Sequence, residues 1–164
     1  MAQAHFRRLV LATITLFTAS SAAYSQTQQQ AFPDVSGRWL FKTVLLDKGC
    51  TISGDIDFRK GLKPYDYLCT LHAREDCARI PAPTFTEVRQ SCVAQIDHGE
   101  INIVSKIEAI TDAGPADFKA YMQANMAYSP DNFRVHPKSG ELVGMFSSLH
   151  QAAVRFWRDK DLVS

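Results

Sequence analysis

The side chains of this sequence that carry reactive chemistry fall into a few small groups. Ser147, Ser148 and His150 bring hydroxyls and an imidazole together, the ingredients of acyl transfer. They are too close along one strand and turn to form a triad, and no Gly-x-Ser-x-Gly surrounds them. His72, Glu75 and Asp76, and again Asp97, His98 and Glu100, combine imidazole with carboxylate, the donor types that zinc accepts. Both groups fall at expected strand ends and turns, where solvated polar residues are ordinary. His136 stands before Pro137 and reads as a turn residue. Glu87, Asp97 and Glu108 offer general acids or bases if aimed into a barrel, yet they sit among residues of the polar face and are expected in solvent. No group meets the pattern its chemistry requires, so the sequence predicts no catalytic residue, no cofactor and no metal.

The remaining reactive groups are Cys50, Cys69, Cys77 and Cys92. Their spacing lacks the paired close cysteines of a zinc knuckle, and an even set in an exported chain defaults to disulfides. Three connectivities are open. A hairpin turning about Arg59-Lys60 sets Cys50 opposite Cys69, and one turning about Thr84-Phe85 sets Cys77 opposite Cys92, which makes those two pairs the expectation. Opposed residues of a non-hydrogen-bonded pair lie about 4.5 to 5.5 Å apart, within disulfide reach.

Export is expected from the first residues. Arg7-Arg8 precede the apolar run Leu9 to Phe17, and small residues follow to Ser25, the order of a cleavable signal peptide. The run is about nine residues, against roughly 20 for a membrane-spanning helix. The expected divisions are a signal peptide over 1–25, a flexible leader over 26–34 and one domain over 35–164. Export by the general route is the simpler reading, though the arginine pair also suits the twin-arginine route. Lys and Arg number 18 against 17 Asp and Glu, without a long run of either sign, so neither nucleic acid nor an anionic membrane is indicated as partner. The expected location is periplasmic or secreted, with no membrane anchor after cleavage.

The elements that must position these residues are mostly strands. From Val35 the apolar pattern has period two: Val35, Gly37, Trp39, Phe41, Thr43 and Leu45; then Ile52, Gly54, Ile56 and Phe58; then Tyr65, Tyr67, Cys69 and Leu71; then Val88, Gln90, Cys92, Ala94 and Ile96; then Ile101 to Ile107. Asp97 to Glu100 reads as a tight turn. Asp112 to Pro115 breaks the pattern, and Ala116 to Met126 predicts a short helix whose Phe118, Tyr121, Met122 and Met126 stripe packs on the sheet. Strands resume with Phe133 and Val135, with Leu142, Gly144 and Phe146, and with Val154 and Phe156. The prediction is a mainly β domain: a small antiparallel up-and-down barrel of about eight strands with one helix. Trp39, Phe41, Tyr65, Tyr67, Phe133, Phe146 and Phe156 are the candidates to fill its interior or line a ligand cavity, and filling is the expectation.

Val35-Ser-Gly37-Arg-Trp39 resembles the Gly-x-Trp signature on the first strand of lipocalins and the wider calycin group. The resemblance implies an eight-stranded barrel whose tryptophan closes the base under a basic residue from a late strand. Gly37 and Trp39 match, and Arg155 or Arg158 would supply the cation. Ser36-Gly37-Arg38-Trp39 is also similar to the opening of bacterial periplasmic metalloprotease inhibitors, small exported barrels with a disulfide. There the resemblance implies an N-terminal segment, here Gln26 to Asp34, that reaches into a protease cleft. The expected function is therefore a non-enzymatic binding module for a small apolar ligand or an exported protein, with protease inhibition as the alternative.

Overall fold

The computed structural model describes residues 32–46, 49–78 and 82–159, which belong to one compact unit. The signal peptide and residues 26–31 of the leader lie outside the described residues. Eight antiparallel strands close a barrel in sequence order: β1 (Gly37–Thr43), β2 (Cys50–Lys60), β3 (Asp66–Cys77), β4 (Thr84–Asp97), β5 (Glu100–Gly114), β6 (Asn132–Lys138), β7 (Glu141–Ser147) and β8 (Gln151–Arg158), with β8 pairing back onto β1. One helix, α1 (Ala116–Asn125), stands between β5 and β6. Among the described residues no helix is long and apolar enough to cross a membrane.

Side-chain alternation decides what lies inside. Trp39, Phe41 and Thr43 of β1, Ile52, Ile56 and Phe58 of β2, and Val154 and Phe156 of β8 are buried on the inward parity of their strands. Phe41, Phe133, Phe146 and Phe156 meet at the centre with ring centroids 5.2 to 5.6 Å apart, in edge, tilted and stacked contacts. The middle of the barrel is thus filled, and any room for a ligand must lie towards an end. Tight turns hold the strands in register. His98-Gly99 and Ser139-Gly140 each join two strands with both residues at positive φ, the backbone twist that a two-residue hairpin needs.

Two expectations change. The first is the disulfide connectivity: Cys50 bonds to Cys77 and Cys69 to Cys92. The β2–β3 hairpin turns beyond Lys60, which pairs with Tyr67, and the β3–β4 hairpin turns between Cys77 and Thr84, so both reversals lie four residues from the expected ones. Arg59-Lys60 and Thr84-Phe85 sit in strands, where they continue the ladder. Each cysteine pair is directly cross-strand, and all four cysteines are buried.

The second change concerns β5, which runs on to Gly114. Opposite β4 the register slips between Glu87 and Val88 and again between Arg89 and Gln90, leaving Glu108 and Thr111 as extra residues. Each bulge advances the inward position by one, so burial passes from Ile103 and Ser105 to Ile110 and Ala113 and the period of two disappears from the sequence.

Candidate functional site

The two ends of the barrel are built differently. At the end where β1 begins, the base, Trp39 is buried and donates its indole N–H to the Val35 carbonyl at 2.8 Å. Arg158, at the end of β8, stands over the indole with its guanidinium carbon 4.2 Å from the ring centroid. The same guanidinium donates to the carbonyls of Ser36 and Asp34, the latter at 3.0 Å, so one side chain caps the ring and ties the incoming chain across the base. Gly37, at positive φ, leaves room for it: a Cβ there would lie 3.2 Å from the guanidinium. Asp34 accepts from Lys60 at 2.7 Å and from the Ser36 hydroxyl and N–H, which holds its carboxyl well below the usual range. Tyr67 lies within reach of it, and burial pushes that phenol up.

The opposite end, the mouth, holds a cavity of about 250 Å³. Elsewhere in the wall β5 and β6 pair over only three residues, Ile101 to Ile103 with Val135 to Phe133. Beyond Ser105, β5 continues to pair with β4, and α1 packs against β5. Lys119 reaches Asp112 at 2.8 Å and Gln123 the Ile110 carbonyl at 3.2 Å, anchoring the helix to β5. Phe118 and Met122 pack on the core, whereas Tyr121 and Met126 are exposed, so the helical stripe is covered over half its width. Leu46, Ile52, Met122 and Phe146 make the apolar wall of the cavity. Glu75, Tyr128, Ser148 and His150 supply its polar groups, and the Cys50–Cys77 disulfide borders it.

Behind Tyr128 is a wholly buried polar cluster. Gln90 and Asp131 are both inaccessible to solvent, and the Gln90 amide reads Asp131 twice, donating to its carboxylate at 2.6 Å and accepting from its backbone N–H at 3.0 Å. The Tyr128 hydroxyl lies 3.3 and 3.4 Å from the two carboxylate oxygens. Ser105 donates its hydroxyl to the Asp131 carbonyl and its N–H to Asn132 Oδ1, so side chains take over where the β5–β6 ladder stops. Desolvation pushes the Asp131 carboxyl up to about 7, with the charge of Glu75 acting in the same direction against the hydrogen bonds from Gln90 and Tyr128. Burial likewise carries the Tyr128 phenol well above its usual value.

Sequence reasoning does not single out Gln90 or Asp131. The available signal is an amide in the inward series Val88, Gln90, Cys92, Ala94; Asp131, in Ser129-Pro130-Asp131, has the look of a turn residue.

The other candidates are dispersed. Of the seven aromatic candidates only Phe146 borders the cavity; Trp39 and Tyr67 are at the base, and Phe41, Phe133 and Phe156 fill the middle. Tyr65 is a correction: it sits at positive φ in the β2–β3 turn with its ring exposed. Arg155 is another, since it points outward and pairs with Glu141, while Arg158 shares the inward parity of Phe156. Alternation splits His72 and Asp76, which face outward, from Glu75, which faces in; His72 lies 3.3 Å from Asp55. Asp97 and His98 contact each other at 2.7 Å on an exposed turn. Glu87 pairs with Arg74 at 2.6 Å and Glu108 accepts from Ser91 at 2.6 Å. Ser148 spends its hydroxyl on the Ser129 carbonyl, and among the described residues no hydrogen bond joins it to the His150 ring. Cys50, Glu75 and Cys77 have ligand atoms within 4.8 Å of one another, but both sulfurs are bonded to each other and offer no thiolate.

No protein-family model matches this chain, and no curated protein matches it either. The fold is that of a closed antiparallel eight-stranded up-and-down barrel with one helix and two disulfides. Two disulfides are compatible with an oxidising compartment.

Proposed function

We propose that this protein is an exported, non-enzymatic binding barrel of calycin type that holds a small, largely apolar ligand at its mouth. The observation that carries the reading is the 250 Å³ cavity beside α1, whose lining mixes apolar side chains with polar groups as ligand sites do. Its volume falls just under the roughly 300 to 1,000 Å³ of common ligand pockets, which fits a compact ligand. The base plug formed by Trp39 and Arg158 agrees with the resemblance to calycins and gives the opposite end a structural task. The experiment is native mass spectrometry of protein purified from the periplasm or medium. A bound small molecule, lost from an Ile52→Trp variant that fills the cavity, is the expected result; an empty protein that takes up no apolar probe counts against the reading.

A second reading, inhibition of an exported protease through the segment from Gln26, draws support from the base. Arg158, Ser36 and Lys60 fasten residues 34–36 and would root the segment that precedes them. Its test is inhibition of a secreted metalloprotease, abolished by deleting residues 26–31.

A further inference from the structure

The mouth cavity is bordered by rings from separate parts of the chain. Phe118 and Tyr121 come from α1, Tyr128 from the segment that follows it, and Phe146 from β7. Met122 and the Cys50–Cys77 disulfide bring sulfur to the same lining, and sulfur makes favourable contacts with ring edges. The rings of the core are already in contact with one another: Phe41, Phe133, Phe146 and Phe156 pair at centroid distances of 5.2 to 5.6 Å. Those added at the mouth are not. Among the described residues Phe118, Tyr121 and Tyr128 enter no ring pair, although all three border one cavity. Tyr128 is held at its hydroxyl, 3.3 and 3.4 Å from the Asp131 carboxylate oxygens, and Phe118 packs on the core, so the fold positions these rings without contact between them.

Size narrows the class of ligand further. An apolar cavity of about 150 Å³ takes one benzene ring. The 250 Å³ of the mouth encloses such a ring with a short substituent, and is too small to enclose a fused ring system or a long acyl chain.

We infer that the ligand of this site is a single-ring aromatic compound with a short substituent, whose ring makes the contacts left open by Phe118, Tyr121 and Tyr128. This deepens the ligand-binding reading and rests on it. A ring set edge-to-face or offset on another gains a contact beyond its area burial, which a saturated ring of the same carbon count does not. One such contact of typical strength corresponds to a roughly two- to twelvefold preference.

The test uses the full mature protein and three alcohols of equal carbon number, 2-phenylethanol, 2-cyclohexylethanol and 1-octanol, measured by titration calorimetry. Each association constant is divided by the octanol–water partition coefficient of its probe, so that plain hydrophobicity cancels. On that scale 2-phenylethanol is expected to bind at least about threefold tighter than either saturated alcohol. Phe118→Leu should weaken 2-phenylethanol by about threefold or more and change 2-cyclohexylethanol by less than about twofold. A smaller phenyl preference, or one that Phe118→Leu leaves intact, overturns this inference and leaves the cavity as a ligand site. Failure of all three probes to bind overturns the cavity reading as well. Tyr121 is exposed, so Tyr121→Leu supplies the same comparison should Phe118→Leu fold poorly.

Discussion

Arg158 and Trp39 form the closure of the barrel base: the guanidinium lies 4.2 Å from the indole centroid while the indole N–H is held by the Val35 carbonyl. One residue from the first strand and one from the last therefore lock those two strands together at the base, where β1 and β8 are paired neighbours. Trp39→Ala removes a buried aromatic and leaves a cavity at the base, for an expected loss of about 3 to 5 kcal/mol. Arg158→Ala removes the cation–π contact and strands two carbonyls, for an expected loss of about 1 to 3 kcal/mol. Urea denaturation measures both. A Trp39→Ala protein as stable as wild type would show that the indole serves a binding surface instead of the core.

Peptide mapping of the oxidised protein should join Cys50 to Cys77 and Cys69 to Cys92. The bonded pairs are 27 and 23 residues apart, for which chain entropy predicts roughly 3 kcal/mol of stabilisation per bond. Cys69→Ser with Cys92→Ser should lower stability by about that amount. A fragment joining Cys50 to Cys69 would mean that the β2–β3 hairpin turns at Arg59-Lys60 after all.

Two glycines fix how closely neighbouring strands approach. A Cβ on Gly54 would lie 1.9 Å from the His72 carbonyl oxygen, and one on Gly144 would lie 2.0 Å from that of Arg134, both rigid backbone atoms. Gly54→Ala and Gly144→Ala should each cost more than the roughly 1 to 3 kcal/mol of ordinary overpacking, because a strand must move. Gly140→Ala, where nothing lies within 4 Å but φ is positive, should cost only about 1 kcal/mol. Thermal melts that rank Gly140→Ala as the most damaging of the three would contradict the strand packing.

The inward faces of the strands are legible in the sequence because burial on one side of a pleated strand imposes period two. Val35 to Thr43, Ile52 to Phe58 and Val88 to Ala94 all follow it. Leu45 does not: β1 ends at Thr43, and it is Leu46 that turns in. Hairpin positions are less legible. Lys63-Pro64 and Pro83 carry the turn chemistry, whereas Arg59-Lys60 and Thr84-Phe85 lack it and extend their strands. The choice between Arg155 and Arg158 is available from parity alone, since Arg158 shares a face with Val154 and Phe156. The mouth is hidden for a different reason. Its polar cluster joins Gln90, Ser105, Tyr128 and Asp131 from distant parts of the chain, and the bulges at Glu108 and Thr111 remove the period on the strand that approaches it.

The buried Asp131 makes stability depend on pH. In the fold its carboxyl titrates near 7, above the 3.8 of an unburied Asp, so the native state holds a proton that the unfolded chain releases between those values. Stability from this group is fully present below about pH 4 and is lost as pH rises through about 7. Three pH units correspond to roughly 4 kcal/mol at most. The described groups facing Asp131 are Gln90 from β4, Ser105 from β5, Tyr128 from the segment after α1, and Glu75 from β3, which acts on Asp131 in the same direction as burial. An asparagine in its place would keep an acceptor for the Gln90 amide and could not ionise. Asp131→Asn should therefore fold with a flatter profile between about pH 4 and 8, within about 1 kcal/mol of wild type at the acid end and more stable than wild type at the alkaline end. Glu75→Gln should lower the midpoint of the wild-type profile by removing a like charge. Chemical denaturation across that range measures all three proteins, and an Asp131→Asn variant that loses stability equally at both ends would show that the carboxylate is held ionised by contacts stronger than its burial.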